Sequence, residues 1–211
     1  MKRIFLIRHG ETDWNREGRF QGKMDIPLNS LGREQAGAAA KALESAAIDR
    51  VVSSPLSRAF DTAQAAASRN SFSIEMHSGF REIDHGLWEG HTADQVENLW
   101  PGMLGTWHSH PEKVIMPEGE SLENVQNRAW TALEDVIAAP GERVALFSHD
   151  AVIKVLLCQI LGCPLSSFWQ FRIANASITL LEADAKGISL LVMGDACHLG
   201  SPWERKEQKG L

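Results

Sequence analysis

Two arginines and two histidines are the residues of this chain best placed to do chemistry. Arg8 and His9 follow the apolar run Ile4-Phe5-Leu6-Ile7, and His149 follows Val144-Ala145-Leu146-Phe147 and Ser148. Arg58 comes after Val51-Val52, by way of Ser53-Ser54-Pro55. Short apolar runs ending in polar residues are the pattern of buried strands, and ligands of parallel sheets sit beyond the carboxyl ends of such strands. Four cationic or protonatable groups on one patch repel one another and depress the histidine pKa values, a cost that a bound anion relieves. Phosphate suits the planar fork of arginine best. A neutral imidazole is a nucleophile near pH 7 when its other nitrogen is held as a donor, commonly to a backbone carbonyl, and Gly10 beside His9 lets the backbone come close. In-line attack on a phosphate monoester would give a phosphohistidine, with Arg8, Arg58 and the second histidine neutralising the equatorial oxygens. That scheme calls for no metal and no cofactor. The leaving alkoxide needs a proton from a carboxyl group of raised pKa, and Glu82 and Asp150 are the candidates.

The elements that must position these groups alternate strand and helix. Ile4–Ile7 and Val51-Val52 read as short strands, with a weak one near Phe72 to Glu75 and a stronger one over Val144–Phe147. Ser30 is expected to cap a helix running to about Ala47. Pro55 fits the first position of a helix with Ala59, Phe60, Ala63 and Ala67 at helical spacing. Ser121 caps a helix with Leu122, Val125, Ala129, Leu133 and Val136 at a period of 3.6, ended by Pro140-Gly141, and another runs from Ala151 to about Leu161. Ile178–Leu181 and Ile188–Met193 form a hairpin around Asp184-Ala185-Lys186-Gly187. The expected architecture is a three-layer α/β/α sandwich around a mostly parallel central sheet. It forms one domain over residues 1–211, with a Trp- and Gly-rich, lid-like insert at about 83–120 and a helix there from Thr92 to Leu99. The charged tail from Glu204 is expected to fray.

Composition limits the function classes. The chain has 211 residues, 21 Lys plus Arg against 27 Asp plus Glu, and a net charge of −6. That balance argues against nucleic acid and against a polybasic membrane anchor as partners. The N-terminal apolar run stops at Arg8, short of the roughly 7–15 residues of a signal core, and no run nears the ~20 residues of a spanning helix, so a cytoplasmic protein is expected. Three cysteines, Cys158, Cys163 and Cys197, give neither a disulfide framework nor a zinc pattern, and read as small buried hydrophobes. His108, His110 and Glu112 are a poor metal set, lacking a fixed third ligand. The remaining histidines and the tryptophans read as packing or surface residues. No exposed apolar stripe stands out to suggest an oligomer interface.

Beyond these residues lies a resemblance. Arg8-His9-Gly10-Glu11-Thr12 with Asn15 resembles the signature of the histidine phosphatase superfamily in its phosphoglycerate-mutase-like branch. The match runs on through Gln21-Gly22, Leu31-Gly32, Ser53-Ser54-Pro55-Leu56-Ser57-Arg58-Ala59, Arg81-Glu82-Ile83, Glu89-Gly90, Gly119-Glu120-Ser121 and Ser148-His149, in order and over nearly the whole chain. The resemblance implies a phosphoglycerate-mutase-like fold, His9 as the phosphorylated nucleophile and Glu82 as proton donor. It further implies a phosphate pocket of Arg8, Arg58 and His149 to which Asn15 and the Gln21-Gly22 backbone contribute. One position departs: the branch has glycine after the second histidine, where this chain has Asp150. Histidine followed by aspartate resembles the acid-phosphatase and phytase branch, in which that aspartate donates the proton. The N-terminal motif and Glu82 favour Glu82.

The resemblance covers both phosphatases and mutases. A phosphoglycerate mutase must hold a small bis-anionic acid while excluding water, which calls for extra cations over the pocket. Residues 83–120 contain no Arg, one Lys and seven acidic residues. The reading is a phosphomonoester phosphatase for a small phosphorylated metabolite, with a 2,3-bisphosphoglycerate-dependent mutase, a metal-dependent hydrolase and a non-catalytic phospho-ligand binding module as alternatives. A local cationic well inside an acidic protein should take one phosphate and reject polyphosphates.

Overall fold

The computed structural model describes residues 1–68 and 72–200; the tail from Glu204 lies outside them. Six strands make one sheet: β1 (Lys2–Arg8), β2 (Arg50–Ser53), β3 (Ile74–Met76), β4 (Arg143–Ser148), β5 (Ile178–Asp184) and β6 (Gly187–Asp195). Their order is β3-β2-β4-β1-β5-β6. The first four run parallel; β5 lies antiparallel on β1, and β6 antiparallel on β5. Pairing of Ile7 with Phe147 and of Arg8 with Ser148 brings the carboxyl ends of β1 and β4 level, so His9 and His149 leave the sheet side by side.

A short helix, α1 (Asp13–Glu17), follows the His9 loop, and alternation along the central strands builds the three layers. Ile4, Leu6, Val52, Val144 and Leu146 face a core shared with α6 (Leu122–Ala138) and α7 (Asp150–Ile160). Ile7, Val51, Ala145 and Phe147 face α2 (Ser30–Ala42) and α3 (Ser57–Ala67), whose contacts are mostly alanines. Period-two side chains on a sheet buried on both faces require this arrangement. Small residues on α2 and α3 let those helices lie close to the sheet.

Residues 83–120 hold two short helices, α4 (Ala93–Leu99) and α5 (Met103–Ser109). Thr92 caps α4 through a capping box with Gln95. The segment sends Ile83, Trp88, Val96, Trp107 and Met116 into the α6/α7 core, all fully or almost fully buried. Trp88 and Trp107 therefore fill the core, where each large ring removes on the order of 150–250 Å² from water.

Three local expectations need correction. Asn29, rather than Ser30, caps α2: its Oδ1 accepts from Gly32 N at 2.8 Å, and the helix passes into a 3-10 turn after Ala42. Pro55 is not the first residue of α3. Ser54 Oγ accepts from Leu56 N and Asp25 Oδ1 from Ser57 N, and these bonds hold the chain extended until Leu56. Of the cysteines only Cys158 is buried; Cys163 is partly exposed and Cys197 exposed.

One close approach fixes the loop after β1. A Cβ on Gly10 would stand 2.3 Å from the Gly32 carbonyl oxygen, and one on Gly32 would stand 2.0 Å from that of Glu11. Only paired glycines let α2 press on the His9 loop at this distance. A Gly10→Ala variant should lose about 1–3 kcal/mol by the cost of overpacking, read as a lower urea midpoint. An unchanged midpoint would show that the approach is looser than described.

Candidate active site

The loop from β1 places the first pair. His9 is buried, and its Nδ1 lies 2.6 Å from the Gly10 carbonyl oxygen. A carbonyl only accepts, so Nδ1 carries the hydrogen and Nε2 keeps its lone pair. The loop itself is tied down: Asn175 Nδ2 donates to the His9 carbonyl at 3.0 Å and Gly10 N donates to Thr62 Oγ1 at 3.1 Å. His149, the N-cap residue of α7, lies with its ring centroid 5.2 Å from that of His9. Its Nε2 meets Ser54 Oγ at 2.8 Å, while its buried Nδ1 has no hydrogen-bond partner among the described residues.

Both arginines are buried. Arg8 donates from Nη1 to Asp150 Oδ1 at 3.0 Å and to the Ile173 carbonyl at 2.6 Å. Arg58 reaches from the first turn of α3 to the carbonyls of Met24 (2.9 Å) and Gly22 (2.7 Å), and its Nε has no partner among the described residues. Gly22 takes a positive φ of 54°, and a Cβ there would meet Glu89 Oε1 at 2.1 Å. So Gly22 is a backbone device that brings its carbonyl to Arg58.

Asn15 and Gln21 also come to this loop cluster. Asn15 Oδ1 accepts from Thr12 N and from Asn175 Nδ2, and Gln21 Oε1 accepts from Thr12 Oγ1. Their oxygens are thus occupied within the protein, leaving the NH2 ends for an anionic ligand. Of the residues expected at the site from the sequence, Arg8, His9, Asn15, Gln21, Gly22, Arg58 and His149 are thus buried or linked in these loops, and Glu82 is buried as well.

Electrostatics separates the two carboxyl candidates. Burial first, then the negative charge of Asp150, raises the Glu82 pKa, against the pull of Arg58, the Ile83 N–H and Arg8. Glu82 Oε1 accepts only from the neighbouring Ile83 N, at 3.1 Å, among the described side-chain contacts. Asp150 instead sits between two cations, Arg8 Nη1 at 3.0 Å and Lys154 Nζ at 2.7 Å. Burial, followed by the charge of Arg58, holds both histidines well below the ordinary imidazole value. Arg58 itself is pushed down to about 10 by burial and so stays charged at neutral pH.

Several supports have no signal in local sequence pattern. Arg128 of α6 forks onto Glu120 at 2.9 Å and donates to the carbonyls of Gly79, Arg81 and Glu82, fixing the segment that carries Glu82. Ser54, Thr62, Asn175 and Lys154 act in the same way on other members. Among the described residues no group of three or more His, Cys, Asp or Glu could hold a metal ion. His108 packs on Trp169 and His110 bonds to Ser109, so the two make no shared site with Glu112. Nor is any helix of the described residues long and apolar enough to cross a membrane.

Residues 4–196 match the histidine phosphatase superfamily, branch 1. The chain belongs to that superfamily. Phosphoserine phosphatase 1 of Hydrogenobacter thermophilus is 34% identical over 201 residues, covering 95% of each chain. A probable phosphoglycerate mutase, GpmB, of Enterobacter sp. is 32% identical over 208 residues, 96% of this chain and 97% of its own. The solved structure of Bacillus stearothermophilus YhfR superposes with a TM-score of 0.90 at 31% identity, covering 94% of this chain and all of that one. The chain is thus an enzyme of the histidine phosphatase type with the phosphoglycerate-mutase-like fold.

A histidine phosphatase built this way couples stability to pH. His85 is fully buried against Phe20, neither ring nitrogen has a partner among the described residues, and burial pushes it down to about 3. Its folded-state value is depressed, as are those of His9 and His149, so below about pH 6.5 the unfolded chain binds protons that the folded chain refuses. Stability should therefore be complete above that pH and fall as pH drops, by about 1.4 kcal/mol per unit for each such histidine. Replacing His85 with Met should reduce the slope between pH 6.5 and 5 by about one proton, measured by urea denaturation across pH. An unchanged slope would contradict it.

Proposed function

We propose that the protein is a metal-independent phosphatase of small phosphomonoesters that works through a phosphohistidine at His9. The observation that carries this reading is the 2.6 Å contact between His9 Nδ1 and the Gly10 carbonyl. It commits Nε2 to the lone pair, and the depressed pKa keeps that lone pair unprotonated at neutral pH.

In the first step the His9 Nε2 lone pair attacks phosphorus as the ester P–O bond breaks. Arg8, Arg58, His149, and the amide ends of Asn15 and Gln21 take the charge of the three equatorial oxygens. If Ser54 Oγ donates to His149 Nε2, the imidazole proton sits on Nδ1, the buried atom that has no protein partner. Protonated Glu82 gives its proton to the departing oxygen. Water then attacks the phosphohistidine with the Glu82 carboxylate taking its proton, which restores the enzyme and releases phosphate.

Geometry around Lys23 favours water over a second phosphoglycerate hydroxyl as acceptor. Lys23 is the basic residue that the loop before α2 offers beside Asp84, and Asp84 Oδ2 takes its Nζ at 2.8 Å, while Glu89 accepts its backbone N–H. A lysine so engaged is a poor clamp for the carboxylate of a small acid. The similarity to a phosphoserine phosphatase points to a phosphorylated metabolite of that size as the substrate class.

Leaving groups test the assignment. His9→Ala should lose at least about 1,000-fold in kcat and the acid-labile phosphoenzyme with it. Glu82→Gln should cost about 10²–10⁴-fold on an alkyl phosphate, whose leaving group needs the proton, and far less on p-nitrophenyl phosphate. Activity should fall as pH rises through the elevated Glu82 pKa, and Glu82→Gln should remove that limb. A wild-type enzyme whose label sits elsewhere than His9 would overturn the mechanism, as would a Glu82→Gln loss equal on both substrates.

A further inference from the structure

Asp150 is the carboxylate that the mechanism above leaves without a task, and it is not an idle surface group. It is buried at the first turn of α7, and one turn later comes Lys154, also buried, with its Nζ 2.7 Å from Asp150 Oδ2. The same ammonium lies 4.8 Å from the centroids of both Phe168 and Trp169. Trp169 is fixed in turn by its Nε1 donating to the Trp107 carbonyl at 2.6 Å. On its other oxygen Asp150 receives Arg8 Nη1.

We propose that Asp150, backed by Lys154, is a positioning residue for the phosphoryl pocket, setting the plane of the Arg8 guanidinium from behind. This rests on the reading of Arg8 as a phosphate ligand. Both hydrogens of Nη1 are committed, one to Asp150 and one to the Ile173 carbonyl, and two bonds from one nitrogen of a planar group fix that plane. A carboxylate with only Arg8 for company could rotate toward the pocket and compete with phosphate. Lys154 opposes this through its ion pair with the second oxygen, and the two aromatic faces stabilise the ammonium where water is excluded. Both Asp150 oxygens are turned to cations of the protein, Arg8 and Lys154, which leaves the proton-donor role to Glu82.

A second consequence separates positioning from bulk stability. The charged groups that act on Glu82 are Arg58 of α3, Arg8 of β1 and Asp150 of α7, while Arg128 of α6 holds the Glu82 backbone carbonyl. Asp150 is the negative member of that set, so its charge helps keep Glu82 protonated. Removing the charge should move the alkaline limb of the activity profile to lower pH, a change that a purely structural role would not produce.

Three variants test the proposal: Asp150→Asn, Lys154→Met, and the two combined. Inorganic phosphate binding is measured by calorimetry, which needs no turnover, alongside kcat and KM on p-nitrophenyl and alkyl phosphates across pH. Asp150→Asn should weaken phosphate about tenfold, the worth of one charge-assisted hydrogen bond. On the acid side of the alkaline limb it should reduce kcat/KM equally on both substrates, and it should shift that limb downward while still yielding the His9 phosphoenzyme. Lys154→Met should act in the same direction and less strongly. The double variant removes both buried charges, so it should fold where Asp150→Asn alone does not, and it should keep the weakened phosphate binding. Wild-type phosphate affinity in a folded Asp150→Asn or double variant would overturn the proposal. A loss confined to alkyl phosphates even on the acid side of that limb would also overturn it, because Asp150 would then be the proton donor. Failure to trap phosphate on His9 in the wild type would instead strike the phosphohistidine mechanism and leave the calorimetric test of Arg8 intact.

Discussion

Burying Arg8, His9, Arg58 and His149 together is the constraint on which the rest of this structure depends. In a medium of low effective dielectric, like charges a few ångströms apart are expensive, and each cation also loses its hydration. The protein answers with oxygen atoms. Carbonyls of Gly22, Met24 and Ile173 surround the guanidiniums, and Asp150 supplies one full negative charge. The histidines answer by giving up their protons. What results is a cationic cradle poised for an anion, with a neutral nucleophile at its centre, and both properties follow from the same repulsion.

The compensation reaches well beyond the pocket. Gly22 adopts a left-handed backbone and tolerates a contact that no side chain could, so that its carbonyl can serve Arg58. Arg128 gathers three carbonyls and Glu120 around the segment that carries Glu82, placing a protonatable carboxyl beside two arginines without a direct ion pair to neutralise it. Trp88, Trp107 and Met116 fill the core beside that segment, so water is kept from the interior side of Glu82. A carboxyl group that must exchange protons near neutral pH needs this dry, fixed setting.

The fold was legible wherever one element dominated its own sequence. The strands at Ile4–Ile7 and Val144–Phe147 and the helix after Ser121 declare themselves by apolar run and period, and the polar residues that end those strands mark the site. Element ends were less readable. Asn29 displaced Ser30 as a cap through a bond to Gly32 N only three residues away, whereas Ser57 displaced Pro55 as the first residue of α3 because Asp25, distant in the chain, accepts its N–H. The supports of the site were least legible of all. Ser54 meets His149 across 95 residues and Asn175 meets the His9 carbonyl across 166, and nothing in the local pattern of either segment announces the contact.

The sequence by itself determined the chemical inventory: a His-Gly loop after a buried strand, a second histidine after another, two arginines and a choice of two carboxyls. Those depend on residue type and order, and short-range physics reads them. Only the tertiary structure decided which carboxyl is paired and which is left protonatable, since that turns on Lys154 and Arg8 enclosing Asp150 while Glu82 makes no ion pair among the described residues. It also decided which imidazole nitrogen carries the hydrogen, through the 2.6 Å approach of the Gly10 carbonyl. Charge state and tautomer are set by neighbours within a few ångströms, and chain folding, not chain order, chooses those neighbours.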